Sequence, residues 1–226
     1  MKIVIRNTLS TFYNKFFFWL GLFNNFLINL NILNLNYIKI YNEPNFSSKL
    51  NNNFFKEELK KSKLYLEFGS GCSTLYAAKI EKKFISIEAD KNFFNLMKGK
   101  LNNPGLRYYN IGLTSNYSIP LFINKKKILN YSKSIFEECQ KKKLIPDLIL
   151  VDGRFRVLVS MQAHIFMSRI KKNIKIIIDD YAQRYYYHIL ENFFRIKIIG
   201  NFGFVYGLKK NQIPKILIEK YLKDCR

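Results

Sequence analysis

The sequence predicts one doubly wound α/β domain: a mostly parallel sheet with helices on both faces, an antiparallel strand pair near the C-terminus, and an N-terminal extension. From residue 54 onward, short apolar runs alternate with longer stretches of helical composition, the pattern of strand–helix units in a parallel sheet. Acids and glycines collect directly after the predicted strands, at residues 67–71, 88, 152 and 179–180. Because ligands bind at the carboxyl ends of the strands in such sheets, this coincidence predicts a site at that edge.

The predicted elements follow in a regular order. The parallel strands are predicted at residues 64–66, 84–87, 107–111, 147–151 and 174–178, and the closing antiparallel pair at 196–199 and 204–208. Helices are predicted at residues 54–61, 73–80, 91–101, 128–142, after residue 154 to 170, at 185–194 and at 214–222. The run 147–151 is almost entirely apolar, as expected for a central strand that is buried on both faces. Asp90 is expected to cap the helix at 91–101, because its carboxylate can accept hydrogen bonds from free backbone N–H groups.

The first part of the chain is predicted to form an extension, residues 1–53, ahead of a domain at residues 54–226. An Asn-rich stretch around Pro44 marks the boundary, since proline stops an element and asparagine favours turns. Asparagines interrupt the apolar run that follows residue 16, so it falls short of the ~20 apolar residues that a membrane helix needs. We expect the extension to pack on the domain or on a partner. Its basic and aromatic residues leave peripheral membrane contact through residues 1–45 open.

Charge and cysteine content set the remaining bounds. The formal net charge is +22, yet the excess of Lys, Asn, Ile, Phe and Tyr also matches AT-rich codon usage. The lysines lie in short runs along the chain and form no single stripe, so nucleic acid is an open partner and not the favoured one. Cys72, Cys139 and Cys225 show no pairing pattern of a disulfide framework or zinc site, and a reducing, cytoplasmic setting is the default expectation.

A glycine turn after the first strand predicts a nucleotide site. Gly69 and Gly71 lie between a predicted strand and a helix, where glycine permits a tight turn and close approach of a ligand. Glu88 follows at the end of the next strand, where an acid can accept hydrogen bonds from ribose hydroxyls. Thr74 stands where a dinucleotide fingerprint has its third glycine. Glu67 would repel a pyrophosphate and suits the ammonium and sulfonium of S-adenosylmethionine (SAM).

At this point the sequence resembles a known family. Residues 65–74, Tyr-Leu-Glu-Phe-Gly-Ser-Gly-Cys-Ser-Thr, look like motif I of class I SAM-dependent methyltransferases, and residues 85–88 look like their ribose-binding segment. Together with residues 111–114, 151–156, 179–181 and 187–188, the set is similar to a little-characterised bacterial branch with a Val-Asp-Gly-Arg-Phe-Arg motif, over residues 60–206. Cys72 stands where that branch usually has glycine, and Leu113 where it usually has proline.

The resemblance implies a Rossmann-like SAM-binding domain at residues 54–226 and a set of cofactor contacts. Glu67 would lie near the methionine amino group, and Glu88 would hold the ribose. The implied cofactor-binding residues are Glu67, Gly69, Ser70, Gly71, Ser73, Glu88, Gly112 and Thr114, with Gly112 and Thr114 near the adenine.

The acceptor is expected at the ends of strands four and five. Asp152, Asp179 and Asp180 could form an oxygen-rich site for Mg²⁺, and their layout resembles metal-dependent catechol-type O-methyltransferases, with Asp180 in the place of an asparagine. A metal there would lower the pKa of an acceptor hydroxyl; the alternative is that these acids cap helices or bind substrate directly. Candidate catalytic residues are Asp152, Asp179 and His188.

Two arginines lie at the predicted start of the following helix. Arg154 and Arg156 could bind an acidic acceptor there, or could pair with the neighbouring aspartates. Tyr181 is a further candidate for substrate binding. His188 could serve as a general base near neutral pH, although a structural role is at least as natural. His164 lies in an apolar helix and is interpreted as structural.

The sequence therefore predicts SAM-dependent methyl transfer to a small-molecule or glycan acceptor, at oxygen and with metal assistance left open. Strand four does not continue into Asn-Pro-Pro-aromatic, which disfavours methylation of an exocyclic base nitrogen. An RNA methyltransferase, an NAD(P)-dependent oxidoreductase and a non-enzymatic membrane-associated protein with a vestigial nucleotide pocket remain as alternatives.

Overall fold

A computed structural model describes residues 40–115 and 118–226 of the chain. Its strands are β1 (Tyr65–Phe68), β2 (Phe84–Glu88), β3 (Leu106–Tyr108), β4 (Leu148–Val151), β5 (Lys175–Ile178), β6 (Phe194–Ile199) and β7 (Phe202–Leu208). Its α-helices in the described ranges are α1 (Lys49–Lys61), α2 (Cys72–Lys79), α3 (Lys91–Leu101), α4 (Lys125–Lys141), α5 (Arg156–Ile170) and α6 (Lys215–Tyr221), and a 3-10 helix spans Tyr185–Asn192.

The strands form one sheet in the order β3-β2-β1-β4-β5-β7-β6. The pairs β3–β2, β2–β1, β1–β4 and β4–β5 are parallel, whereas β7 pairs antiparallel with both β5 and β6. This confirms the predicted fold class: a mostly parallel, Rossmann-like sheet that closes with an antiparallel pair near the C-terminus.

Helices cover both faces of this sheet, because alternate strand residues point to opposite sides. Leu66, Phe68 and Val151 belong to one buried cluster with residues of α4 and α5. Tyr65 and Leu150 belong to a second cluster with residues of α1 and α2. Burial on both faces explains why residues 148–151 are uniformly apolar, as predicted for a central parallel strand.

Several element boundaries differ from the predicted ones. Helix α1 begins at Lys49 and not at residue 54, because the Ser48 hydroxyl accepts a hydrogen bond from the Asn51 amide at 3.1 Å and caps it. β3 ends at Tyr108, where its pairing with β2 stops, and does not reach residue 111. β6 and β7 each begin two residues earlier than predicted. The earlier start of β7 leaves only residues 200–201 between the two strands, so the hairpin is tight. Asp90 caps α3 as predicted, accepting from the amides of residues 92 and 93.

Asn51 fixes α1 to the β6–β7 hairpin. Its side-chain nitrogen donates to the carbonyl of Ile199 at 3.0 Å, and its Oδ1 accepts from the amide of Asn201 at 3.3 Å. Gly200, with φ +58°, leaves the space that this side chain occupies, since a Cβ there would lie 2.6 Å from Oδ1. The helix therefore packs on the sheet through residues within the range assigned to the extension. The division into residues 1–53 and 54–226 stays a prediction.

Residues 1–39 lie outside the described residues, and with them most of the segment expected to contact a partner or a membrane. Within residues 40–115 and 118–226, no helix combines the length and the apolar character needed to cross a bilayer.

Candidate cofactor site

The candidate site lies where the strand order reverses, between β1 and β4. Successive strands run outward from β1 through β2 to β3, and from β4 to β5 on the other side, which leaves a crevice at their carboxyl ends. The strand ends are held in register there. The Gly69 amide donates to the carbonyl of Ile87 at 2.8 Å, and the Asp152 amide donates to the carbonyl of Phe68 at 3.0 Å.

Gly69 is required by both its conformation and its surroundings. Its φ is +94°, which side chains rarely adopt. A Cβ at this position would also lie 2.7 Å from the amide nitrogen of Gly153, in the loop after β4. Gly153 is equally enclosed, since its own Cβ would meet the Tyr131 hydroxyl at 2.6 Å. The two loops that border the crevice therefore touch through their backbones.

Glu88 is hydrogen-bonded to the glycine turn, as the ribose-acid prediction requires. Its Oε2 accepts from the Ser70 hydroxyl at 2.7 Å and from the Ser70 amide at 3.1 Å. Its Oε1 accepts from the amides of Ala89 and Asp90, both at 2.8 Å. The residue is 5% exposed. Burial raises the pKa of Glu88, and the hydrogen bonds from the Asp90 amide and from Ser70 partly oppose this rise.

Glu67 is completely buried beneath the turn. Its carboxylate accepts from the Tyr65 hydroxyl at 2.7 Å, from the Ser73 hydroxyl at 2.6 Å, and from the Thr74 hydroxyl. Burial raises the pKa of Glu67, although these three donors favour its ionised form. In this arrangement Glu67 and Ser73 anchor the start of α2 to β1. Their direct contact with a cofactor stays a prediction.

Two of the predicted glycines face open space. A Cβ added to Gly71 or to Gly112 would meet no atom of the described residues within 4 Å, apart from its immediate chain neighbours. Gly112 has φ +114°, and the segment after it folds back through a bridge between Thr114 and Pro120. The Ser118 hydroxyl of this segment lies 3.3 Å from Glu88 Oε1. The structure thus brings the segment predicted to lie near adenine to the same carboxylate as the glycine turn.

On the acceptor side, the three predicted aspartates converge on Arg156. The guanidinium donates to Asp152 Oδ1 at 2.8 Å and to Asp180 Oδ2 at 3.1 Å, and it lies 3.8 Å from Asp179 Oδ2. It also donates to the carbonyl oxygens of residues 152, 153 and 179. Arg156 is 8% exposed. Of the two roles considered for this arginine, ion pairing with the aspartates is the one that the structure contains.

The same geometry bears on the predicted metal site. Asp152, Asp179 and Asp180 are neighbours, but the cation among them is the guanidinium. Among residues 40–115 and 118–226, no group of three or more His, Cys, Asp or Glu side chains has the arrangement to hold a metal ion. The donor set therefore does not fit Mg²⁺ while Arg156 occupies its centre.

The aspartates are nevertheless unusual in charge. The pKa of Asp152 is raised well above its ordinary value by burial, which outweighs the opposing effect of Arg156, and the neighbouring Asp179 raises it further. Burial likewise raises the pKa of Asp179. The Asp179 Oδ1 atom is buried and accepts no hydrogen bond in the described part of the chain. A carboxylate with a raised pKa is a better proton acceptor in its ionised form. The catalytic role of Asp152 and Asp179 stays a prediction.

The remaining acceptor-side candidates, Tyr181 and His188, pack on each other. Tyr181 is fully buried, with its hydroxyl 3.1 Å from Glu191 and its ring against Gly203, so it lies in the core under the hairpin. His188 stacks on Tyr181 at 4.9 Å between ring centroids, and its Nδ1 lies 3.8 Å from Glu191. The substrate role of Tyr181 and the catalytic role of His188 stay predictions.

Arg154 and His164 are the remaining positions with a predicted role. Arg154 is partly buried, and burial together with the positive charge of neighbouring Arg156 lowers the pKa of Arg154. Its substrate role stays a prediction. His164 is 3% exposed and lies edge-on to Phe194, as expected for a structural histidine. Burial lowers the pKa of His164.

Sequence reasoning missed Tyr131 and Arg184. Tyr131, on α4, is buried against Gly153, and burial together with the charge of Glu88 raises the pKa of its hydroxyl. Arg184 donates to Asp180 Oδ2 at 2.5 Å and to the Tyr187 hydroxyl at 3.0 Å. No sequence signal marked Tyr131, because its partners lie on distant segments. The spacing of Asp180 and Arg184 by four residues was the available signal for that ion pair.

The fold and the site together define a Rossmann-like α/β domain with an acid-bearing glycine turn at the switch point of the sheet. Among solved structures, the chain is similar to a methyltransferase-like protein from Silicibacter pomeroyi, with a TM-score of 0.67 and 24% identity over 81% of this chain and 99% of the other. A 16S rRNA N2 G1207 methyltransferase, RsmC, from T. thermophilus, in complex with AdoMet and guanosine, gives a TM-score of 0.33 and 11% identity over 75% of this chain and 42% of the other. No protein-family model and no curated protein matches the chain.

Proposed function

We propose that this protein is a SAM-dependent methyltransferase that methylates a small molecule or glycan at oxygen. The observation that carries the proposal is the Glu88 carboxylate, hydrogen-bonded to Ser70 within the glycine turn. The carboxyl ends of β1 and β2 thus form one binding site. The fold, shared with the methyltransferase-like protein from S. pomeroyi, supports this reading without deciding it.

The ribose would bind where the Ser70 hydroxyl now lies. That hydroxyl donates to Glu88 Oε2, and rotation of the Ser70 side chain about χ1 would free this oxygen for a ribose hydroxyl. The Ser70 amide would remain in place and hold the carboxylate. Because Gly71 and Gly112 border open space, the cofactor can approach the backbone on both sides of this carboxylate.

The local charge supports SAM over a dinucleotide. The amide of Gly71 donates to the Thr74 hydroxyl at 2.8 Å, so a donor that a pyrophosphate would use at the start of α2 already has a partner. The binding site at the ends of β1 and β2 also contains Glu67 and Glu88, whose negative charge disfavours phosphate and favours a sulfonium or an ammonium.

The chemical step follows from the aspartates. SAM, when bound, would supply its methyl group to the acceptor oxygen: an O–CH₃ bond would form as the S–CH₃ bond breaks, and the sulfur would leave as a neutral thioether. The proton of the acceptor hydroxyl passes to Asp152, which is one-third exposed in the crevice and has a raised pKa. Arg156 holds Asp152 in position through its side chain and its carbonyl oxygen. The proposal uses no metal ion.

A direct test has two stages. The full chain is first heated with and without millimolar SAM, and a rise in melting temperature is expected. S-adenosylhomocysteine formation is then measured with hydroxylated phenols, neutral and acidic sugars, and RNA as acceptors. No thermal shift with SAM would reject cofactor binding, and turnover with RNA alone would reject the proposed acceptor class.

A further inference from the structure

Most of the lysine runs, which are dispersed along the sequence, converge at one edge of the folded domain. The run at residues 125–127 is the exception, because it begins α4 on the side where β3 ends, and Lys127 lies 3.5 Å from Asn110. Parallel strands all begin at the same edge of a sheet, so the segments that precede them share that edge. The runs at residues 60–63, 82–83, 141–143 and 171–175 precede β1, β2, β4 and β5. Because β7 is antiparallel, residues 209–210 that follow it lie at this edge too. We call this surface the amino edge.

Direct contacts confirm that these segments are neighbours. The Lys82 ammonium donates to the carbonyl of Lys60 at 3.1 Å. The amide of Lys175 donates to the carbonyl of Asp147, and the amide of Asp147 donates to the carbonyl of Leu64. Nearly all the lysines of these runs are exposed, and Lys82 is half-buried.

Several acids offset part of this charge in the described part of the amino edge. Glu138 pairs with Lys142 at 2.7 Å, and Glu57 and Glu191 are exposed close to the runs. Glu58 is 8% exposed in its side chain and already pairs with Lys61 at 3.0 Å and Lys175 at 2.6 Å. Asp147 accepts hydrogen bonds from two backbone amides, and Glu81 is exposed. The negative ends of α1, α4 and α5 also lie here, but each is equivalent to only about half a charge. A large positive excess remains.

The opposite edge has a different character. The crevice at the carboxyl ends of the strands brings together a set of carboxylates, namely Glu67, Glu88, Asp90, Asp152, Asp179 and Asp180. A polyanion that had to enter this crevice would meet the carboxylate of Glu88 at the glycine turn. The arginines beside the aspartates, Arg156 and Arg184, are already paired with them. The structure therefore separates the basic surface from the candidate active site across the length of the strands.

This separation decides between two polyanions. An RNA acceptor needs positive charge around the crevice where its base would react, whereas a bilayer needs only a basic surface on which the protein can lie with its crevice open to water. The amino edge consists of strand-end loops side by side, and adjacent strands are spaced by about 4.8 Å, so β2, β1, β4, β5 and β7 spread the charge over about 20 Å. Exposed lysines are point charges that suit anionic headgroups.

We propose that the amino edge docks the protein on an anionic lipid bilayer, with the candidate active site facing away from the membrane. The proposal does not depend on methyl transfer, because the amino edge contains no residue of the cofactor site. It concerns a surface of the described domain, which is distinct from the contact left open for residues 1–45.

The test measures co-sedimentation of the full chain with phosphatidylcholine vesicles, with and without phosphatidylglycerol. An amino-edge variant carries Lys83→Glu, Lys141→Glu, Lys172→Glu and Lys210→Glu. A matched control carries Lys91→Glu, Lys125→Glu, Lys126→Glu and Lys223→Glu, which make the same change in net charge away from this edge. Far-UV circular dichroism and melting temperature establish that both variants fold; a variant that does not fold is remade with glutamine at the same positions.

We expect binding only to the vesicles that contain phosphatidylglycerol, and its loss at about 1 M salt, where the Debye length is about 3 Å. The amino-edge variant should lose at least roughly a hundredfold in vesicle partitioning, since each lysine near an anionic surface contributes about a fivefold preference. The control should retain most of the binding. Equal losses in both variants, or equal binding to neutral vesicles, would overturn the proposal. So would RNA that strips the protein from vesicles at matched phosphate concentration.

Discussion

Replacing Glu88 with glutamine tests the proposed cofactor site most directly. Glutamine keeps the size of the side chain and one acceptor oxygen, which can still accept from the amides of Ala89 and Asp90. Its NH₂ group then faces the Ser70 amide, where two donors meet, and the ionised acceptor for the ribose hydroxyls is lost. The Glu88 contacts therefore predict a specific loss of SAM affinity with a smaller loss of stability.

The magnitude follows from the hydrogen bonds. Each ribose hydroxyl bound to an ionised carboxylate contributes about 1.5–3 kcal/mol, and the Ser70 hydroxyl must first give up its own bond, at about 1 kcal/mol. Two such bonds less this cost leave about 2–5 kcal/mol, which corresponds to at least roughly 30-fold weaker binding in the variant.

The assay is a thermal shift at a fixed SAM concentration. At about 100 times its dissociation constant, SAM stabilises the native protein by about 2.7 kcal/mol. For a domain of this size that is a rise of about 5–10 °C. With affinity lowered about fiftyfold, Glu88→Gln at the same concentration should shift by only about 1–3 °C. Glu137→Gln, at an exposed position on α4, serves as the matched control and should keep the full shift.

The result that would refute this reasoning is a Glu88→Gln variant that is folded and shifts as much as the wild-type protein. A carboxylate that can be neutralised without affecting SAM is not the ribose acceptor, whatever its distance from the glycine turn.

Three further predictions follow from the same geometry. Gly69→Ala should destabilise the protein by at least about 2 kcal/mol in urea unfolding, because its φ is +94° and its Cβ would press on the facing loop. Gly71→Ala should unfold like wild type but weaken SAM binding. Equal stabilities of the two variants would contradict this. Arg156→Lys should cost about 3 kcal/mol or more, since lysine cannot span the three aspartates and the carbonyls, while Arg169→Lys, at an exposed position, should stay within about 0.5 kcal/mol. SAM affinity should fall on acidification while the pH is still above 4.5, because burial raises the pKa of Glu88 and only its ionised form accepts both hydroxyls. Calorimetric titration with SAM across this pH range measures the effect, which should be absent in Glu88→Gln.

The sign of the last effect differs for folding itself. An acid whose pKa is raised in the folded state stabilises that state fully below its unfolded pKa, and this contribution is lost as the pH rises through the folded value. Acidification should therefore weaken SAM binding while the contribution of Glu88 to stability increases. Urea unfolding of the SAM-free protein, compared between wild type and Glu88→Gln across this range, separates the two.

The sequence by itself determined the features that depend on neighbouring residues. The alternation of apolar runs and helical stretches gave the order of the elements, since strand and helix periodicities are local. It also gave the glycine turn after β1 and the acid at the end of β2, because parallel strands end at one edge. The capping role of Asp90 needed only the two residues that follow it in α3.

Only the tertiary structure decided the features that join distant segments. Arg156 could have faced a substrate, and its assignment to the aspartates required β4 and β5 to lie side by side, which brings residues 152 and 179–180 to one guanidinium. The contact between Gly69 and Gly153 required β1 and β4 to be neighbours. The same holds for most of the lysine runs, which look diffuse along the chain and lie at one edge of the folded sheet. A sequence encodes the type of each element through local periodicity, but the partners of a side chain depend on which elements become adjacent in the sheet.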